Sequence, residues 1–209
     1  VEGFNAFCTA NGLTACFYSV DREVERISAD LGFEHLQVAE ETVLPLGHLE
    51  FKGKKFQDVR TALNHARKAG IEAQWISYAT APLAVLDQLH AISEEWVADK
   101  KMPEMGFTLG GLEEMDDPEV RCLAAVDRDG TVHAVTSWLP IYRDGAVVGW
   151  TLDFMRRRSS GFRPGMDFLI ASAAVLLQEE GFELLSLSGA PLARSSASAA
   201  QPGADPDST

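Results

Sequence analysis

At 209 residues, with 46% hydrophobic and 23% charged, the chain can bury a sizeable core and has the composition of a globular protein rather than a disordered or fibrous one. A formal net charge of −13 opposes indiscriminate binding to nucleic acid or anionic lipid, so such contacts fall to local basic clusters acting over a screening length of roughly 8 Å. The longest weakly charged stretch, Gly165 to Gln178, carries Asp167 and is shorter than the ~20 apolar residues of a membrane-spanning helix.

The opening "VEGFNAFCTANG" has neither the basic segment nor the apolar run of a secretion signal. "LTACFYSV" (Leu13–Val20) reads as a buried strand, and "DREVERISADLG" as a helix capped by Asp21 and closed by Gly32. "FEHLQVAEETVL" alternates loosely, as one or two strands do. "KFQDVRTALNHARKAG" is an amphipathic helix: Phe56, Val59, Leu63 and Ala66 recur at helical spacing and Gly70 ends it. "IEAQWISYA" follows as a strand. Pro82 then opens a helix whose inward stripe is Leu83, Leu86, Leu89, Ile92 and Trp96.

After the Gly/Pro-rich "KKMPEMGFTLGGLEEMDDPEV" come three strands, "VRCLAAVD", "TVHAVTSWLPIY" and "GAVVGWTLDFM", joined by two "RDG" turns with hairpin chemistry. A helix over 165–180 with hardly any charge, closed by Gly181, leads to the strand "FELLSLSG". Residues 194–209, rich in Ser, Ala, Pro and Asp, have the composition of a disordered tail. Hairpins, loop, helix and a further strand follow the order of an acyltransferase half-fold of the GNAT type. The expected class is therefore α+β, a tandem GNAT-like fold with mixed, largely antiparallel sheets flanked by helices. Its first unit would occupy 1–80, lacking its N-terminal part, and its second 81–193, lacking its C-terminal part.

Three cysteines (Cys8, Cys16, Cys122) have no metal-ligand spacing, and the five histidines are scattered. This predicts reduced thiols, a cytoplasmic setting, no structural metal and no cofactor. In "WTLDFM", alternation puts Trp150, Leu152 and Phe154 on one face and Thr151, Asp153 and Met155 on the other. Arg156 would then face away from Asp153 unless the strand ends or bulges near Met155. Two readings stay open for the pair, a structural ion pair at a strand end or a polar site at the mouth of the fold.

Arg157, Arg158 and Arg163 fit either a solvated loop or an anion clamp, since arginine forks suit phosphate. The turn "RSSGFRPG" before a helix fits the GNAT pyrophosphate pattern (R/Q)xxGx(G/A) at Arg158 and Gly161, but Arg163 stands where a small residue belongs. That departure weighs against an acetyl-CoA enzyme. On the earlier helix Arg60, Asn64 and Lys68 form one polar stripe, with Lys55 just before it; it is a solvated face or a phosphate-tracking ridge. Glu104 stands alone as an acid in the bent, apolar "PEMGFTLGG", facing water or reading an amino group.

"GKKFQDVRTALNHARKAG", "EEWVADKKMPEMGFTLGG", "WTLDFMRRR" with "GMDFLI", and "LLSLSGAPLA" together resemble successive blocks of the C-terminal catalytic domain of the phosphatidylglycerol lysyltransferases, or aminoacyl-phosphatidylglycerol synthases. The resemblance implies transfer of an aminoacyl group, lysine first among candidates, from aminoacyl-tRNA to the hydroxyl of phosphatidylglycerol. The partners would be aminoacyl-tRNA and that lipid at the inner membrane surface, reached by peripheral association and without metal. It implies that Asp153 orients or deprotonates the lipid hydroxyl and that Arg156 holds a phosphate or the oxyanion. Glu104 would read the amine of the aminoacyl group. Substrate-binding roles fall to Lys55, Arg60, Asn64, Phe107, Arg158, Arg163 and Ser188. Family members usually continue past "APLA" and carry a membrane region or a fused synthetase, so the resemblance also implies a separate membrane or synthetase partner. The competing expectations are an acyl-CoA-dependent N-acetyltransferase and a non-catalytic remnant that binds tRNA or lipid.

Overall fold

Two Asp-Gly turns organise the sheet. At the second, Asp144 (φ +52°) and Gly145 (φ +78°) both take left-handed conformations, which match the twist of an antiparallel pair. At the first, the Asp127 carboxylate accepts the amides of Asp129 at 3.0 Å and Thr131 at 2.9 Å. These contacts come from the computed structural model, which describes residues 1–100 and 111–191.

The elements are α1 (Glu2–Ala10), α2 (Arg22–Asp30), β1 (Ala39–Pro45), α3 (Gln57–Ala69), β2 (Glu72–Ile76) and α4 (Leu83–Lys100), followed by β3 (Arg121–Val126), β4 (Val132–Arg143), β5 (Ala146–Arg157), α5 (Gly165–Glu179) and β6 (Leu184–Pro191). Six strands form one sheet in the order β1-β6-β5-β4-β3-β2. β2 to β5 pair antiparallel with their neighbours, and β6 runs parallel to β5. The fold is thus the α+β arrangement with a mostly antiparallel sheet that the strand order predicts. The boundary expected at residue 80 falls between β2 and α4, and β2 pairs with β3 across it.

Packing divides the chain at Glu40/Glu41 into two compact units. In the first, Asp21 caps α2 by accepting the Val24 amide at 2.8 Å, as its position predicts. Phe17 meets Phe4 and Phe33 edge-on, with centroids 5.7 and 5.3 Å away. The strand expected over Leu13–Val20 does not form. Ser19 at φ +53° breaks the extended run, and Leu13, Tyr18 and Val20 are exposed. An apolar run without a neighbouring strand has no ladder to join.

The second unit, Glu41–Ala190, has two cores, one on each face of the sheet. α3 and α5 cover one face, where Ala62, Ala66, Leu169, Ala173 and Leu177 close over Trp138, Trp150 and Leu152. The scarcity of charge on α5 follows from its packing: between Asp167 and Glu179, which are exposed, every residue is buried or half-buried. α4 covers the other face, with Leu89 and Ile92 fully buried against Val135 and Phe154. Leu83, expected in that inward stripe, lies in the first turn of α4 and is exposed. Arg121 ties the layers together: its guanidinium lies 3.9 Å from the Trp75 ring and 5.1 Å from Trp150, and pairs with Glu180 through bonds of 2.7 and 2.9 Å. Among the described residues, no helix is long and apolar enough to cross a membrane.

Two outcomes follow from this packing. A Cβ built on Gly149 would collide with the Leu184 carbonyl oxygen in the parallel pair β5–β6. Gly149→Ala should therefore destabilise the protein by roughly 1–3 kcal/mol, the cost of overpacking, seen as an earlier thermal unfolding midpoint. Burial also pushes the Cys122 thiol up to about 12, so it stays protonated at neutral pH while Cys16 is exposed. Brief iodoacetamide treatment of the native protein should label Cys16 and leave Cys122 unmodified until the chain is unfolded, as peptide mapping would reveal.

Candidate active site

One extra residue in β5 decides which side chains meet. Thr136 pairs with Met155 and Trp138 with Leu152, so Ser137 opposes both Asp153 and Phe154. The Ser137 hydroxyl takes up the displaced ladder by accepting the Phe154 amide at 3.1 Å. This is a β-bulge, and it slips the alternation by one. Before it, Trp150 and Leu152 face α5; after it, Phe154 packs in the α4 core and Arg156 stacks on Trp96 of α4. Asp153, alternating with Leu152, turns to the same α4 side. The expected shared face of Trp150, Leu152 and Phe154 is corrected accordingly, and the bulge that the Asp153–Arg156 spacing required is present.

Arg156 is 6% exposed, and its guanidinium carbon lies 3.5 Å from the Trp96 ring centroid and 4.4 Å from that of Phe154. Its Nη1 donates to the Met155 carbonyl at 2.9 Å. Stacking of this kind fixes the plane of the guanidinium and keeps water from its faces. Asp153 is half-buried. The parallel pairing of β5 with β6 runs from Gly149–Leu184 to Thr151–Ser186. Asp153 and Ser188 each lie two residues beyond its end. Ser188 is exposed at φ +63°, and its amide donates to the buried Ser186 hydroxyl at 3.0 Å, which in turn donates to Glu41.

The other arginines part company from Arg156. Arg157 is exposed. Arg158 is half-buried and used internally: Nε donates to the Val132 carbonyl at 2.7 Å and Nη2 to Gln88 at 3.3 Å. Arg163 is exposed on the following turn. That turn is held by its own amides. Ser159 N–H donates to Glu95 at 3.1 Å, Gly161 N–H to the Arg158 carbonyl at 3.3 Å, and Phe162 N–H to His133 Nδ1 at 3.3 Å. Because Nδ1 accepts, the imidazole carries its proton on Nε2 and donates it to Asp127 at 3.0 Å. The Thr131 amide and this imidazole hold the Asp127 carboxyl below the usual carboxylate range.

The basic helix is not brought to this centre. α3 lies with α5 on the opposite face of the sheet from Asp153 and Arg156. Arg60 is half-buried, and its Nη1 donates to the Phe51 and Gly53 carbonyls at 2.9 and 2.8 Å, bracing the preceding loop. Asn64 accepts from Arg67 at 3.3 Å, and Lys55 lies 4.8 Å from the Phe56 ring. Glu104 and Phe107 lie outside the described residues. The site gains Trp96, Glu95 and Gln88, which spacing along the chain does not link to the arginines. Their signal is on α4 itself: Gln88 and Glu95 stand seven apart, two turns of helix, beside the apolar stripe that ends in Trp96.

The family described as "Phosphatidylglycerol lysyltransferase, C-terminal" matches residues 1–206. An uncharacterised protein of Corynebacterium glutamicum is 44% identical over 189 residues, which are 90% of this chain and 24% of that protein. The phosphatidylglycerol lysyltransferase of Bacillus subtilis is 27% identical over 182 residues, 87% of this chain and 21% of that one. The solved structure of L-PGS from Bacillus licheniformis superposes with a TM-score of 0.80 at 23% identity, covering 92% of this chain and 59% of the other, a likeness of fold. The chain thus spans about a quarter or less of the curated relatives it matches. With almost its whole length accounted for, the chain belongs to the family of phosphatidylglycerol lysyltransferase C-terminal domains.

Proposed function

We propose that this domain performs the transfer step itself, moving an aminoacyl group, lysine in the first instance, from aminoacyl-tRNA to a free hydroxyl of phosphatidylglycerol at the inner membrane surface. The observation that carries this reading is the β5 bulge, which turns a carboxylate and a desolvated guanidinium toward the same side. The name of the Bacillus subtilis relative supports the choice of amino acid and lipid.

The chemistry exchanges one ester for another. The lipid hydroxyl oxygen attacks the aminoacyl carbonyl carbon, and Asp153 accepts the proton that the hydroxyl loses. Positive charge at Arg156, whose orientation is fixed by Trp96, stabilises the oxyanion as it forms. Collapse breaks the bond to the ribose oxygen, which leaves with the proton held by Asp153. Ser188, beyond the last β5–β6 pair, and Glu104 are assigned to holding the aminoacyl group. Arg157 at the end of β5 and Arg163 on the turn that follows, both exposed, meet phosphate of either substrate.

Incubation with radiolabelled lysyl-tRNA and phosphatidylglycerol vesicles should give organic-extractable label. Asp153→Asn should lower the turnover rate by about 10²–10⁴, the usual contribution of a general base. Arg156→Lys should lower it by about 10²-fold, because an ammonium reproduces the charge but not the flat stack on Trp96. Salt-dependent tRNA binding with no label from any aminoacyl-tRNA would overturn the reading in favour of a non-catalytic binding domain.

Acyl-CoA-dependent transfer, which the strand order also allows, asks for open amides in the turn after β5. Those of Ser159, Gly161 and Phe162 already donate within the protein. CoA should accordingly leave the thermal unfolding midpoint unchanged; a saturable rise would favour the CoA reading.

A further inference from the structure

A second feature lies on the sheet face away from Asp153, at the β2 edge. There α3, α5 and the start of β2 enclose an open groove of about 710 Å³, within the range that holds small ligands. Its floor is apolar: Leu63 of α3 and Val175 and Leu176 of α5 are half-buried, over Phe168 and Ile71. Ser172 of α5 also lines it. Ser172 is 9% exposed.

The rim carries two arginines. Arg128, from the β3–β4 turn, lies across Gly70, its Nε 2.9 Å from where a Cβ would stand. Gly70, at φ +70° to end α3, thus also makes room for that side chain. Arg128 forms no hydrogen bond or ion pair among the described residues, and Arg67 contributes only a 3.3 Å bond to Asn64 Oδ1. Glu72 shares the rim without pairing to either, which leaves the mouth net positive. Paired guanidinium forks above an apolar floor suit an anion attached to a hydrocarbon chain.

We propose that this groove binds a single-chain anionic amphiphile, an alkyl chain ending in a carboxylate or a phosphate. The chain lies on the Leu63–Leu176 floor past Ser172, and the head sits between Arg67 and Arg128. The site is separate from the transfer centre and does not depend on it.

The test is calorimetric titration of the whole chain with laurate and with dodecyl phosphate, each below its micelle concentration, and with dodecyltrimethylammonium for comparison. Saturable binding of one equivalent of either anionic probe is expected, at least tenfold weaker for Arg67→Ala/Arg128→Ala. Ser172→Leu, which fills the groove, should abolish it. Asp153→Asn should bind the probes unchanged, which separates this proposal from the transferase reading. The arginine changes are at the surface, so they remain informative even where Ser172→Leu disturbs folding. Absence of saturable binding by both anions, equal binding of the cationic chain, or unaltered affinity in the double arginine variant would each overturn the proposal.

Discussion

The geometry of the centre depends on a single hydrogen bond, from the Phe154 amide to the Ser137 hydroxyl. A backbone amide displaced from its ladder inside a sheet must find another acceptor, and here a side chain of the facing strand supplies it. With that substitute in place, β5 sets two residues against Ser137 alone, and the stretches before and after this step present opposite parities to the helices. Ser137 is 1% exposed, so the accommodation is sealed within the protein. Without the bulge, Arg156 would face α5 and its largely apolar packed surface; with it, the guanidinium finds an indole.

The run of three arginines shows how one residue type takes three environments within a few ångströms. Arg156 is buried against aromatic rings, Arg157 is exposed, and Arg158 braces the start of β4 and the middle of α4. A net charge of −13 therefore says little about the local field. The turn that follows is rigid for a similar reason: its amides close onto Glu95, His133 and its own carbonyls. It is shaped by the protein's own acceptors rather than held open for a ligand's.

What could be read in the sequence was local. The Asp21 cap, the Gly70 stop and the two Asp-Gly turns each depend on a few neighbouring residues, and each stands where its chemistry predicts. The bulge was readable because an acid and an arginine three apart on an alternating strand posed a contradiction that only an irregularity resolves. Leu13–Val20 was misread because a strand exists only through a partner that the run itself does not name. The internal bonds of Arg60 were out of reach for a similar reason: its carbonyl acceptors at Phe51 and Gly53 come from a loop with no regular pattern. That α3 and the Asp153–Arg156 centre lie on opposite faces is a matter of topology, invisible to spacing along either segment.

The strand order has a consequence for how the chain is made. β1 enters the sheet beside β6, so among the described residues the sheet neighbour of the strand near residue 40 is the strand near residue 185. At about 5–20 residues per second, that interval is on the order of ten seconds. The β2–β5 meander can assemble from its own hairpins while the ribosome is still working. The pairing of β1 with β6 comes last, which makes the nascent chain, rather than the finished protein, the form most exposed to mispairing and to chaperones.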